Sequence, residues 1–252
     1  LVKYNSSGVK QWTRQMGTSS NDYGDGTVID SSNNIYVTGT TGGGLDGNIS
    51  SGEYDIFLFK YNSRGVKQWS KQMGTSSNEW GYGMSVDSSE NLYITGYTEG
   101  GLDGNTNSGG KDIFLVKYNS SGVRQWTKQL GTSTDDYGYE VSVCSSDNIY
   151  VTGYTGGSLD GNNTSGGDDM ILIKYNPSGE NQWTKQLGAF SSEKGFGVTV
   201  SSDNIYVTGW TYGGLDGRTN LKSNDLFLVK YNSSGVKQWV KQLGTDSDEE
   251  GF

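Results

Sequence analysis

The chain has 252 residues, a formal charge of −9 and only 31% hydrophobic residues, with 40 glycines and a single proline. Ala, the strongest helix former, occurs once, while Tyr, Trp, Val, Ile and Thr are abundant, so the composition excludes a helical domain and favours strands with open turns. The acidic balance excludes nucleic acid and anionic membrane as partners, since both require clustered Lys and Arg, and no apolar run reaches the roughly 20 residues of a membrane span.

In chain order, Leu1-Val2-Lys3-Tyr4 reads as the end of a strand, and its Lys-Tyr-Asn motif returns at Lys60, Lys117, Lys174 and Lys230, after 57, 57, 57 and 56 residues. A fixed period of that size marks one supersecondary unit copied along the chain. The Gln-Trp pair keeps the same beat at Trp12, Trp69, Trp126, Trp183 and Trp239. Leu1 is neither an initiator Met nor part of a signal peptide, so the expectation is a processed chain or a window from a longer one.

Four strands are predicted per period. Gly81–Val86 is a short strand of small residues closed by the polar turn Asp87-Ser88-Ser89-Glu90-Asn91. Leu92–Thr95 follows, apolar on both sides and therefore sandwiched, and Asp112–Tyr118 has the same two-sided character after a Gly-rich loop. Asn119-Ser120-Ser121-Gly122 turns the chain into Val123–Leu130, whose mixed pattern fits a half-exposed outer strand.

Four antiparallel strands per copy, joined by short turns, make an all-β fold of tandem β-propeller blades. An open β-superhelix is the alternative architecture. Glycines such as Gly24, Gly81, Gly138 and Gly195 at the start of each first strand fit a crowded axis. The predicted division of this single repeat domain is a partial blade at 1–22, full blades at 23–79, 80–136, 137–192 and 193–248, and the start of another at 249–252. A fifth blade would need one more strand pair, supplied by further residues or by a neighbouring subunit.

The combination Asp136-Tyr137-Gly138-Tyr139, Ser145-Ser146-Asp147-Asn148-Ile149-Tyr150-Val151-Thr152-Gly153 and Asp112-Ile113-Phe114-Leu115-Val116-Lys117 resembles the bacterial β-propeller repeat family called SBBP. The resemblance implies a propeller in a secreted or bacterial cell-surface protein, and it supplies no catalytic residues.

Candidate sites are few. The recurring Trp could form sugar-binding platforms, against which stands simple docking on the adjacent blade. The loop before each third strand spaces acids nine apart, at Asp46 and Asp55, Asp103 and Asp112, Asp160 and Asp169, and Asp216 and Asp225. Asn48, Asn105, Asn107 and Asn162 add oxygens. Alternating short oxygen side chains among glycines could begin a calcium site, and calcium is the only cofactor the sequence suggests; backbone capping by Asx turns is the competing explanation. The chain contains no His, and Cys144 replaces the Asp of other copies as a surface substitution, so no nucleophile and base pair is in view. The expectation is a non-enzymatic extracellular or cell-surface protein with a structural or interaction role, self-assembling through an incomplete blade. Its partners would be itself or other surface proteins, with multivalent glycan binding as the alternative.

Overall fold

The computed structural model describes residues 1–201, 204–217, 223–245 and 248–249. Strands β1 (Val2–Tyr4) and β2 (Lys10–Thr13) form a two-stranded sheet. Four four-stranded antiparallel sheets follow. The first holds β3 (Asp22–Ile29), β4 (Ile35–Thr41), β5 (Asp55–Tyr61) and β6 (Lys67–Met73), and the second β7 (Glu79–Val86), β8 (Leu92–Thr98), β9 (Asp112–Tyr118) and β10 (Arg124–Leu130). The third holds β11 (Asp136–Val143), β12 (Ile149–Thr155), β13 (Asp169–Tyr175) and β14 (Asn181–Leu187), and the fourth β15 (Glu193–Ser201), β16 (Asn204–Thr211), β17 (Asp225–Asn232) and β18 (Lys237–Leu243). In every sheet the strands lie side by side in chain order, which is the blade predicted from the repeat.

Burial follows from strand position. The middle strands β8 and β12 are buried along their whole length, because both faces are covered by neighbouring blades. The fourth strands, such as β10 with the pattern Arg124-Gln125-Trp126-Thr127-Lys128-Gln129-Leu130, are exposed to half-buried, which matches their mixed sequence. Apolar side chains from adjacent blades merge into shared clusters: Tyr36, Ile56 and Leu58 of the first blade pack with Met84, Ile94 and Phe114 of the second. The core therefore lies between blades rather than within one, and this is how a chain with few aliphatic residues buries enough surface.

First strands of successive blades approach one another, β3 to β7, β7 to β11 and β11 to β15, so they line the inner side of the arc. Each carries a bulge, between Gly24 and Gly26, Gly81 and Gly83, Gly138 and Glu140, and Gly195 and Gly197, which bends the strand at the point of convergence. A methyl group on Gly153 would overlap the carbonyl oxygen of Tyr137 on the paired strand, so the Thr-Gly of the second strand is set by backbone approach.

The repeat motifs join blades. Lys60 Nζ donates to the carbonyl of Ser120 in the next blade's turn at 3.0 Å, and Lys3 and Lys174 reach Ser63 and Ser233 in the same way at 2.9 and 3.2 Å. Each turn's glycine sits on the preceding blade's Trp: a methyl on Gly122 would stand 3.1 Å from the Trp69 ring, and Gly179 and Gly235 meet Trp126 and Trp183 likewise. The same Trp residues pack near Tyr36, Tyr93 and Tyr150, with ring centroids 6.0 to 6.1 Å apart. Docking accounts for the recurrence of Trp.

Candidate functional site

The acids spaced nine apart go to different places. Asp46, Asp103 and Asp216 occupy left-handed positions (φ 54 to 56°) in tight Leu-Asp-Gly turns, where each carboxylate pairs with a basic residue at the start of the fourth strand: Lys67, Arg124 and Lys237. Asp46 also accepts from Ser70 Oγ at 2.6 Å, and these partners hold its carboxyl below the usual value. Asp160 accepts from Asn181 Nδ2 at 3.1 Å. Asn48, Asn105 and Asn162 turn their amide groups back to the carbonyls of Leu45, Leu102 and Leu159 at 2.8 to 2.9 Å, closing the turn. Asn107 Oδ1 accepts from the Gly109 amide at 2.8 Å.

Asp55, Asp112, Asp169 and Asp225 are buried at the start of the third strand. In each, Oδ2 accepts from the fourth-strand glutamine, Gln72, Gln129, Gln186 or Gln242, at 2.7 to 3.0 Å. Nothing brings the turn acid and the strand acid to one ion: each has its own partners, and the described residues contain no cluster of three or more metal-ligating side chains. The Asn side chains and the strand acids bond backbone groups, as Ser51 N–H does with Asp55, whereas the turn acids take side-chain partners. Arg218, the basic residue in the last copy of this loop, lies outside the described residues, as do Gly251 and Phe252.

Cys144 is buried at 8% exposure, clustered with Tyr150, rather than on the surface. Sequence reading also passed over Glu140. It stands in β11 where the other copies have Gly26, Gly83 and Gly197, facing the convergence of the first strands. Burial pushes its carboxyl up to about 7, against one hydrogen bond from the Val141 amide at 2.9 Å. It borders a recess of about 320 Å³ with Phe196, Thr199, Tyr206, Thr208 and Leu228. Comparing copies position by position would have found it.

That recess opens on the largest departure from the repeat pattern. In β16 and β17 burial alternates: Ile205, Val207, Phe227 and Val229 are buried toward the third blade, while Tyr206, Thr208, Trp210, Leu226 and Leu228 on the other face are only half-buried. Their counterparts Tyr93, Thr95, Tyr97, Ile113 and Leu115 in the second blade are all 8% exposed or less, beneath the third blade. In β1, Val2 and Tyr4 are exposed at 45% and 57%, and Ile29 of β3 at 61%. A second recess of about 340 Å³ lies there, lined by residues including Val2, Tyr4, Trp12, Ile29 and Ile35. The half-buried face of β16 and β17 is thus apolar sheet surface of the kind that the interior blades cover.

Aromatic rings also run along the inner rim, from Tyr23 and Tyr54 through Trp80 and Tyr97 to Tyr137, Tyr139, Tyr154 and Phe196, with centroid separations of 4.6 to 6.4 Å.

Residues 11–46, 68–103 and 125–160 match the SBBP family, described as a beta-propeller repeat. Each match runs from a fourth strand through the next blade's first two strands to its Leu-Asp turn. Among curated proteins, the chain is 27% identical to an uncharacterized WD repeat-containing protein of Acanthamoeba polyphaga mimivirus over 96% of this chain, and 24% identical to the regulatory protein FlaEY of Caulobacter vibrioides over 65% of it. The chain spans about a quarter or less of the length of those relatives, 24% and 19%. Among solved structures, a Bacteroides caccae protein of unknown function superposes with a TM-score of 0.52 at 10% identity, covering 95% of this chain and 73% of that one. A polysaccharide lyase of family PL25, an ulvan lyase, superposes with a TM-score of 0.51 at 9% identity, covering 88% and 56%. At such identities the likeness shows the fold alone.

Proposed function

The chain carries SBBP β-propeller repeats, and from that premise we propose that it is a non-enzymatic, extracellular or cell-surface interaction scaffold that associates head to tail with further copies of itself. The observation that carries this reading is the half-buried face of the fourth blade, with Tyr206, Trp210, Leu226 and Leu228 at positions that every interior blade buries under its successor. The surface it would meet is the two-stranded sheet β1–β2, whose Val2 and Tyr4 are exposed. A contact between two different ends of the same molecule is heterologous, so it propagates into a ring or a fibre. Sedimentation velocity over a range of concentrations tests it: the wild type should shift to larger species as concentration rises, and Leu228→Asp should remain a monomer. A wild type that stays monomeric overturns the reading.

A second reading, multivalent glycan binding, is favoured by the rim aromatics, of which Tyr23 is 42% exposed. It predicts glycan-array signal that Trp80→Ala abolishes, with no dependence on Leu228. Extracellular location is tested separately by protease accessibility on intact cells.

A further inference from the structure

Three blade junctions each bring two buried carboxyl groups near one another without a basic partner. At the first, Asp55 begins the third strand of one blade and Glu79 opens the next blade, and both are fully buried. Glu79 accepts from the Thr75 amide at 2.6 Å, Thr75 Oγ1 at 2.7 Å and Thr98 Oγ1 at 2.8 Å. Asp55 Oδ2 accepts from the Ser51 amide and Gln72 Nε2, both at 2.8 Å. Asp55 Oδ1 has no partner at all. Gly74 packs against both groups: a methyl there would overlap Asp55 Oδ1 and lie 2.8 Å from Glu79 Oε2. The two carboxyls therefore converge on one glycine.

The arrangement repeats. Asp136 accepts from Thr132 and Thr155, and Glu193 from the Ala189 amide and Thr211, each within electrostatic reach of the preceding blade's strand acid, Asp112 or Asp169. All four residues are fully buried, and Asp112 Oδ1 and Asp169 Oδ1 are again without a partner. The nearest bases are engaged elsewhere: Lys111 with Asp135 and Lys194 with Asp168, the latter acid adding further negative charge beside Asp169. No lysine or arginine contacts the pairs among the described residues.

An ionised carboxylate oxygen that is buried and unpartnered is costly, and two buried carboxylates side by side cannot both ionise. An oxygen that finds no donor among its neighbours is explained if it shares a proton with the facing carboxyl. We propose that each of these junctions holds one proton shared between its two acids, in a carboxyl–carboxylate hydrogen bond that uses the unpartnered Oδ1 of the strand Asp: Asp55 with Glu79, Asp112 with Asp136, and Asp169 with Glu193. One proton then replaces one charge, and the carboxyl–carboxylate bond becomes a contact between blades.

Burial, reinforced by the facing Asp in each case, raises the carboxyls of Glu79 and Asp136, and that of Glu193 to about 7. A group whose folded pKa is raised contributes stability that is complete below its unfolded value and is lost as pH rises through the folded value. For Glu193 the window runs from its ordinary 4.5 to about 7, and across it the unfolding constant rises by up to tenfold per pH unit.

Unbuffered protein is unfolded in urea at pH 6 and the released protons are counted by back-titration, for wild type, Asp169→Asn and Glu193→Gln. The wild type should release about one proton more than either variant. Asp169→Asn should keep wild-type stability at pH 6 and exceed it at pH 8, because the amide supplies the same donor without a titrating group, whereas Asp169→Ala should be destabilised at both. An infrared carbonyl band of a neutral carboxylic acid at pH 6, weakened in Asp169→Asn, gives an independent readout on folded protein. Equal proton release by wild type and variants, or stability that falls with chelator and returns with calcium, overturns the proposal.

Discussion

The turn between the first and second strands offers an experiment already begun within the molecule. Asp87 accepts four hydrogen bonds there: from the amides of Ser89 and Asn91 at 2.9 and 2.8 Å, from Asn91 Nδ2 at 2.8 Å and from the Tyr93 hydroxyl at 2.9 Å. Asp30 repeats all four with Ser32, Asn34 and Tyr36. In the third blade Cys144 takes the position, its thiol meets only Ser146 Oγ at 3.1 Å, and Asn148 Nδ2 turns to that same hydroxyl at 2.9 Å. Hydrogen bonds to a charged acceptor contribute about 1.5–3 kcal/mol each, but freed turn amides regain water, so the set should contribute a net of about 2 kcal/mol. Asp87→Ala should therefore lower the melting temperature by about 4–8 °C at this chain length, followed by Trp fluorescence. Cys144→Asp should raise stability by about 1 kcal/mol, less than the full value because a new charge is desolvated beside Tyr150. Cys144→Ser, which adds no comparable acceptor, is the control. An Asp87→Ala protein within 0.5 °C of wild type, or a Cys144→Asp protein less stable than Cys144→Ser, would refute the reasoning.

Acid should weaken the same turn in the first blade: burial raises the Asp30 carboxyl, but hydrogen bonds from Asn34, Tyr36 and Ser32 outweigh it and hold the group below its usual value. Its contribution is thus present above pH about 4 and lost as pH falls through the depressed value, which an Asp30→Asn comparison of melting temperature across pH 2–6 would reveal. Gln129→Leu removes the acceptor for the Leu102 amide and the donor to Gly100 and Asp112, and should cost about 2–4 kcal/mol in urea unfolding. Gly153→Ala forces a methyl into the Tyr137 carbonyl and should cost at least about 3 kcal/mol, seen as loss of soluble folded protein. Glu140→Gln should be neutral near pH 5 and stabilising at pH 8, because the raised acid loses its favourable neutral form as pH passes about 7.

Much of the fold was legible because the repeat makes each strand visible four or five times. Lys-Tyr-Asn and Gln-Trp marked the third and fourth strands, and two-sided apolar runs such as Leu92-Tyr93-Ile94 marked strands sandwiched between blades. Less legible was what the loop acids do. Nine-residue spacing is a statement about chain distance, and the tight turn at Asp103 with the loop beyond it sends Asp103 outward to Arg124 while Asp112 goes inward to Gln129. The partner of each strand acid lies in the next blade, 24 residues away for Asp55 and Glu79, and appears only when blades pack. Glu140 was hidden for a different reason: a single glutamate among many polar residues carries no signal unless aligned with the glycines it replaces.

Electron microscopy of the assembled protein tests the central claim most directly, by locating what covers Tyr206, Trp210 and Leu228. The account predicts rings or fibres in which β1–β2 of one copy lies against the fourth blade of the next. Isolated particles with that face bare, at concentrations where sedimentation reports a single species, would contradict it.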